Sequence, residues 1–429
     1  MRIDEIFSFE KGVLQSSKCV PGDFDFITAS SDWKTHNEYT HDCEALIFAA
    51  AASGSLGRTH YVNGRFVSSD LCFIITPKDQ ENLPVDLKFY HILFNELKDE
   101  IVRNTKAGTS KEAIGLGSFG KYELPYFDIE TQIEIKNRFA NSEEIKSNLT
   151  TELNQQVGLV KKLRQQLLQD AVQGKLVEQN KKDEPASELL KKIKAEKEKL
   201  IAEKKIKQGK MQEAEMQEEL IFDIPKNWTW CTLDEISKNI TDGTHQTPTY
   251  TKIGRIFLSA QNIKPFKFMP EDHKFVSEEE YKDIIKNRKP EKGDILIARV
   301  GAGIGEAAVI NQDIDFCFYV SLGLVQPFKY FLNTDYLTLV INSPYGVKYA
   351  KGNISSKGGS AGNFNLGRIR SFPIPLPPLA EQNRIVQKVD ELMEYCNELE
   401  ASIKQSESQN EKLLQQVLRE ALRKEPVAV

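Results

Sequence analysis

Three glycines at alternate positions, Gly301, Gly303 and Gly305 in VGAGIGE, follow the apolar run ILIARV. Such spacing after a strand lets a backbone approach a phosphate, and it points to a dinucleotide or adenosylmethionine when a helix comes next. The residues that follow, AAVINQDIDFCFYV, read as more strand, so a tight turn is the better reading. The chain has no Walker-type phosphate loop and no Asn/Asp-Pro-Pro-aromatic tetrapeptide of the kind amino-methyltransferases carry. Its six histidines (His36, His41, His60, His91, His245, His273) show no HExxH or comparable metal spacing, and its acidic residues form no nuclease-like group. No catalytic constellation is found, and no metal or cofactor is expected on the chain itself.

Binding chemistry is better represented. NISSKGGSAGNFN (Asn353 to Asn365) joins small residues that let a backbone reach phosphates, amides that read base edges, and Lys357. Asn363 and Asn365 close that stretch, and the comparable TKAGTSKEAIGLG supplies Lys106, Ser110 and Lys111. Gln261, Asn262 and Lys264 after the apolar FLSA run, with Arg58 and Arg299 beside the glycine turns, complete the candidate set. Taken singly, each reads more readily as an ordinary surface-loop residue than as a DNA contact.

The elements that must position these residues come in two copies. LPYFDIETQIEIKNRF (Leu124 to Phe139) lies over IPLPPLAEQNRIVQKV at a constant offset of 250, which sets Gln132 over Gln382 and Ile135 over Ile385. The register holds to LRQQLLQDA over LLQQVLREA, an internal duplication. In the second copy Ile385, Val389, Leu392, Cys396, Leu399, Ile403, Leu413 and Val417 form a heptad seam, with Ser406 and Asn410 between. In the first, Ile135, Phe139, Leu149, Leu153, Val160, Leu163 and Leu167 take those slots, interrupted by Ser142, Lys146 and Gln156. Each tract predicts a helix of roughly 40 residues, about 60 Å long, and Pro377-Pro378 sets the start of the second. Pairing the two antiparallel within one chain covers both seams at once; the alternative is that each helix pairs with another protein.

The segments before the helices are related more weakly. RIDEIFS matches TLDEISK, FITAS resembles FLSAQ, and ALIFAAAASGSLGRTHYV resembles ILIARVGAGIGEAAVI. The predicted domains are a first block at 1–123, a long helix with a charged connector at 124–222, a second block at 223–375 and a second long helix at 376–429. The connector KKDEPASELLKKIKAEKEKL alternates in sign and reads as a solvated helix with a thin apolar stripe.

A net charge of −5 argues against nucleic acid until it is counted by segment: 224–375 carries 19 Lys+Arg against 15 Asp+Glu, and 1–123 carries 13 against 18. Phosphate binding needs a basic face, not a basic whole. Six cysteines without a CxxC pair read as free thiols of a reducing, cytoplasmic compartment. The longest apolar run, ALIFAAAA, is too short to span a bilayer, and the N-terminus does not read as a secretory signal.

The motifs IPKNWTWCTLDEISKNITDGTH, GDILIARVGAGIGEAAV, GNFNLGRIRSFPIPLPPLAEQNRIVQKVDEL and LLQDAVQGKLVEQNKKDEPASELLKKI together resemble the specificity subunit of type I restriction–modification systems. The resemblance covers essentially the whole chain and is thinner over 1–123, where the IP-x-x-W opening is missing. It implies an α+β fold of two mixed α/β target recognition domains, separated by two long antiparallel coiled-coil helices in an internal pseudo-two-fold repeat. It also implies a non-catalytic subunit that reads a split site on double-stranded DNA. The implied partners are two methyltransferase subunits that bring S-adenosylmethionine, with motor-nuclease (restriction) subunits as further partners in some assemblies. The rival readings are an enzyme acting on DNA by itself, which needs a motif not found here, and a coiled-coil scaffold with no DNA role.

Overall fold

The computed structural model describes residues 1–51, 54–107, 113–206, 222–286, 288–354 and 362–421. It divides into two compact units, Met1–Leu153 with Gln405–Val429 and Asn154–Lys404. The division falls inside both long helices, whereas the sequence places its boundaries at the helix ends. The reason is packing: Ile135 belongs to the first unit's core, while Leu168, Ala171 and Val172 belong to the second's.

In the first unit a six-stranded sheet runs in the order Phe7–Lys11, Cys72–Pro77, His41–Ala49, Thr59–Ser68, Phe24–Ile27, Lys34–His36. Only the pairing of Phe24–Ile27 with Thr59–Ser68 is parallel. The apolar run ALIFA does not alternate with polar residues because both faces of this sheet are covered. Leu46 and Phe48 face a core with helix Leu87–Glu96, and Ala45, Ile47 and Ala49 face a second one with Ile27 and Phe66.

The second unit splits its strands between an antiparallel sheet (Ser237–Asp242, Leu322–Pro327, Ile295–Ala298, Ala307–Val309) and a three-stranded sheet (Lys274–Val276, Arg255–Leu258, Phe316–Phe318). Arg255–Leu258 pairs parallel with Phe316–Phe318, as Phe24–Ile27 does with its neighbour in the first unit. Ile295 and Ile297 face the helices, while Leu296 and Ala298 face the other way into the smaller core.

Divergent side chains hide three polar devices that occur in both units. Glu5 reaches back to the Arg2 N–H (2.9 Å) and Glu235 to the Thr232 N–H (2.7 Å), the carboxylate arm of a capping box. From helix Leu87–Glu96, Asn95 clamps both backbone groups of Thr59 (3.1 and 3.0 Å). From helix Thr334–Asn342, Asn342 clamps both of Ala307 (2.9 and 2.8 Å). Finally, Gln132 accepts from the N–H of Asp86 (2.8 Å), and Gln382 from that of Asn333 (2.9 Å). Asp86 and Asn333 are the N-caps of those same helices, so each long helix is tied at its start to its own block.

The long helices run Ile129–Val172 and Leu379–Ala421, the second starting directly after Pro377-Pro378. Within the second unit they pack antiparallel. Arg164 bonds Asn397 (2.8 Å) and lies 3.4 Å from Glu400, and further along Ala171 and Val172 share a core with Ile385 and Val389. Past the end of the first helix, Asp183 pairs with Arg384 (2.7 Å). The regular seam is corrected in places: Leu163 is 42% exposed, Leu399 49% and Leu413 60%, whereas Leu168 is buried. After Val160 the first helix buries Leu168, Ala171 and Val172, because there it meets the globular core as well as its partner helix.

The connector is also corrected. Its helix, Ala186–Ala202, is packed rather than solvated: Ala186, Leu189 and Ile193 lie in the second unit's core with Trp228. Lys194 and Lys197 on its flank pair with Glu235 (2.8 Å) and Asp234 (3.0 Å). At the start of the second long helix Glu381 is fully buried and accepts the Trp228 indole N–H (3.0 Å). Burial pushes its carboxyl above the usual range, against hydrogen bonds from Trp228 and Gln179.

Candidate nucleic-acid interface

The second unit gathers its distant candidates around the end of strand Ile295–Ala298. Arg299 follows that strand, and its backbone N–H donates to Ser321 (2.8 Å), whose hydroxyl accepts from Ala260 beside Gln261 (3.0 Å). The Phe364 N–H donates to the Arg299 carbonyl (2.9 Å) and Asn363 bridges Val300, so these two residues lie at the same strand end. A hairpin of Ile263–Lys264 and Lys267–Phe268 completes the cluster: the Phe266 N–H donates to Ala307 (3.0 Å), and Lys264 lies 4.0 Å from Glu306. Gly301 and Gly305, both with φ near +86°, turn the chain tightly between two antiparallel strands. That is a hairpin turn and not the strand–helix junction that a nucleotide loop requires.

Not every candidate faces outward there. Gln261 and Lys264 are exposed, as a reading or phosphate-holding role requires. Asn262 is buried at 2% exposure, with its amide spent on the Ser259 N–H and on the carbonyls of Met269 and Asp272. Arg299 is buried at 4%, bonded to Phe364 and Val320 and ion-paired with Asp242. Both are corrected to framework residues that hold the cluster together, because a buried side chain with its donors committed has none for a base. Asn365 caps helix Leu366–Arg370 by accepting the Arg368 N–H (3.0 Å). The Oδ1 of Asn363 is buried and has no hydrogen-bond partner among the described residues. Lys357 lies outside the described residues.

The first unit repeats this arrangement. The Ala49 N–H donates to Arg58 across the glycine turn (2.8 Å), and the Ile114 N–H donates to Ala50 (2.8 Å). The ribbon that pairs Ile114 with Lys106 therefore lies at the same strand end. Lys106 is exposed; Ser110 and Lys111 lie outside the described residues. Arg58 is half-buried, with Nη1 donating to the Ala29 carbonyl and the Ser55 hydroxyl (both 3.3 Å), which moves it towards a framework role. Burial holds the neighbouring His60 below the usual histidine range, and its Nδ1 accepts the Trp33 indole N–H (3.4 Å).

The structure adds residues that spacing alone passes over. Trp33 and Phe266 are exposed at 38% and 47%, each followed by an exposed lysine, Lys34 or Lys267. Each pair comes shortly after one of the matched runs FITAS and FLSAQ. The signal was present as KPFK, an aromatic between lysines at a hairpin tip, and DWK, an aromatic next to a lysine at the start of a strand.

Comparison with known proteins bears on the family and the fold. The family model of the type I restriction modification DNA specificity domain matches residues 1–159 and 225–406. The type I restriction enzyme EcoAI specificity subunit of Escherichia coli is 34% identical over 266 residues, 60% of this chain and 44% of that subunit. The chain thus matches less than half the length of that relative. The fold resembles the HsdS subunit from Thermoanaerobacter tengcongensis (TM-score 0.51, 18% identity, 99% of this chain and 96% of that one). It also resembles a chain solved in work on complex assembly and conformational transition of the type I R-M system (TM-score 0.54, 17% identity, 99% and 97% covered). With its two matched segments spanning most of its length, the chain belongs to the type I restriction modification DNA specificity domain family.

Proposed function

We propose that this protein is the non-catalytic DNA-reading subunit of a type I restriction–modification complex, with each block reading one half of a split target in double-stranded DNA. The observation that carries the reading is the paired convergence at a strand end. In each block a glycine turn, the described end of the segment beyond it (Lys106 with Ile114, or Asn363 with Phe364) and an exposed aromatic–lysine pair come together, although the residues that build them have diverged. Divergent contacts on a repeated frame suit two different half-sites. The long helices serve as the spacer, anchored through Gln132 and Gln382.

Partner docking belongs to the same proposal. On the helices, Leu159 and Leu163, and Tyr395 and Leu399, are apolar pairs four residues apart that stay exposed. Such pairs suit the apolar face of partner helices, and two methyltransferase subunits would bring S-adenosylmethionine and the methyl-transfer chemistry. Restriction subunits would join in assemblies that also cut. The test is genome-wide mapping of adenine methylation with the gene intact and deleted. Loss of methylation at one split motif supports the reading; an unchanged map, with the methyltransferase expressed, rejects it.

A further inference from the structure

The hairpin tip Lys264-Pro265-Phe266-Lys267 holds an aromatic residue where backbone geometry asks for glycine. Phe266 has φ +65°; among the described residues the only other non-glycine residue with positive φ is Lys204. A two-residue turn with proline first and positive φ second follows the type II pattern, whose second position favours Gly or Asn because a Cβ there is strained. The chain keeps phenylalanine at that point and leaves its ring 47% exposed, while Phe268 two residues on is buried and packs against Phe316 at 5.7 Å. Core packing therefore accounts for Phe268 and not for Phe266. Strain kept at an exposed residue is a pointer to function. Pro265 stiffens the turn, and the Phe266 N–H is held by the Ala307 carbonyl at 3.0 Å, so the ring is presented from a fixed backbone. Lys264 and Lys267 flank it on the two paired strands, both exposed.

We infer that Phe266 is a stacking wedge: its ring packs against a base at one step of the half-site bound by the second block, with Lys264 and Lys267 on the neighbouring phosphates. The inference rests on the DNA-reading function proposed above and names a contact within it. An exposed aromatic ring between two cations matches the chemistry of a base bounded by phosphates, and aromatic side chains that enter a base step unstack it in part. In the first block, Trp33-Lys34 after the matched strand offers the same pairing of ring and cation.

The test uses the full chain reconstituted with its methyltransferase, on a duplex carrying the methylated motif with 2-aminopurine placed at successive positions of that half-site. The wild-type complex should brighten the probe at one step. Phe266→Gly should abolish that response and weaken binding roughly five- to 150-fold, the loss of one stacked base. Because glycine relieves the turn, the thermal midpoint of F266G should stay level or rise. A wild-type complex that binds, with F266G binding as tightly or leaving the probe response unchanged, overturns the wedge alone. A lowered midpoint for F266G makes the ring a packing residue and also overturns it. A wild-type complex that fails to retard the duplex removes the DNA reading itself, and the wedge with it.

Discussion

At the scale of single residues, the two halves agree most closely in side chains that hold the backbone, not in those that would touch a ligand. Asn95 and Asn342 sit in helices with little sequence in common, yet each closes both hydrogen bonds of one strand residue beside a glycine turn. Replacing Asn342 by alanine leaves the buried N–H of Ala307 unpaired, while its carbonyl keeps the Phe266 N–H. One orphaned buried group costs about 1–3 kcal/mol, so N342A should lower unfolding stability by about 1–3 kcal/mol in denaturant titration. A loss below about 0.5 kcal/mol, the size of a surface change, would show that the clamp is dispensable. Asn262 and Arg299 teach the same lesson: residue types suited to bases serve as framework once burial commits their donors.

At the scale of elements, the long helices depart from one regular seam because their surroundings change along their length. Heptad spacing is enough where helix faces helix, but a third packing partner recruits further positions. Leu163 and Leu168 separate the two regimes, the first 42% exposed and the second 8%. Leu168→Ala should cost about 2–3 kcal/mol, whereas Leu163→Ala should stay within about 0.5 kcal/mol. Equal losses in thermal or chemical unfolding would contradict the packing described here. Leu163→Ala is also the variant to examine for weakened methyltransferase binding, since its exposed side chain would be covered only in the complex.

At the scale of the whole molecule, a protein that measures a split DNA site should change its ruler when its helices change length. Seven extra residues in each long helix preserve the heptad phase and add about 10 Å, close to three base pairs of duplex. Methylation mapping of such a variant should report the same two half-sites with a spacer lengthened by about three base pairs. Retained methylation at the original spacing would mean that the helices do not set the distance.

The sequence by itself determined the order of blocks and helices. Covalent adjacency, heptad periodicity, a proline stop and a constant offset are local properties that need no fold to be read. It determined the family as well, through motifs such as GDILIARVGAGIGEAAV and LPPLAEQNRIVQKVDEL. Tertiary structure decided which candidates face solvent, and that could not be local. Arg299 is buried because Asp242, Val320 and Phe364 converge on it from other parts of the chain. The connector helix packs because its thin stripe meets Trp228, and Phe266 is exposed because only its backbone N–H is held by a neighbouring strand. Burial is a property of what arrives from elsewhere in the chain, so a residue's type and spacing could nominate it for the interface but could not place it there.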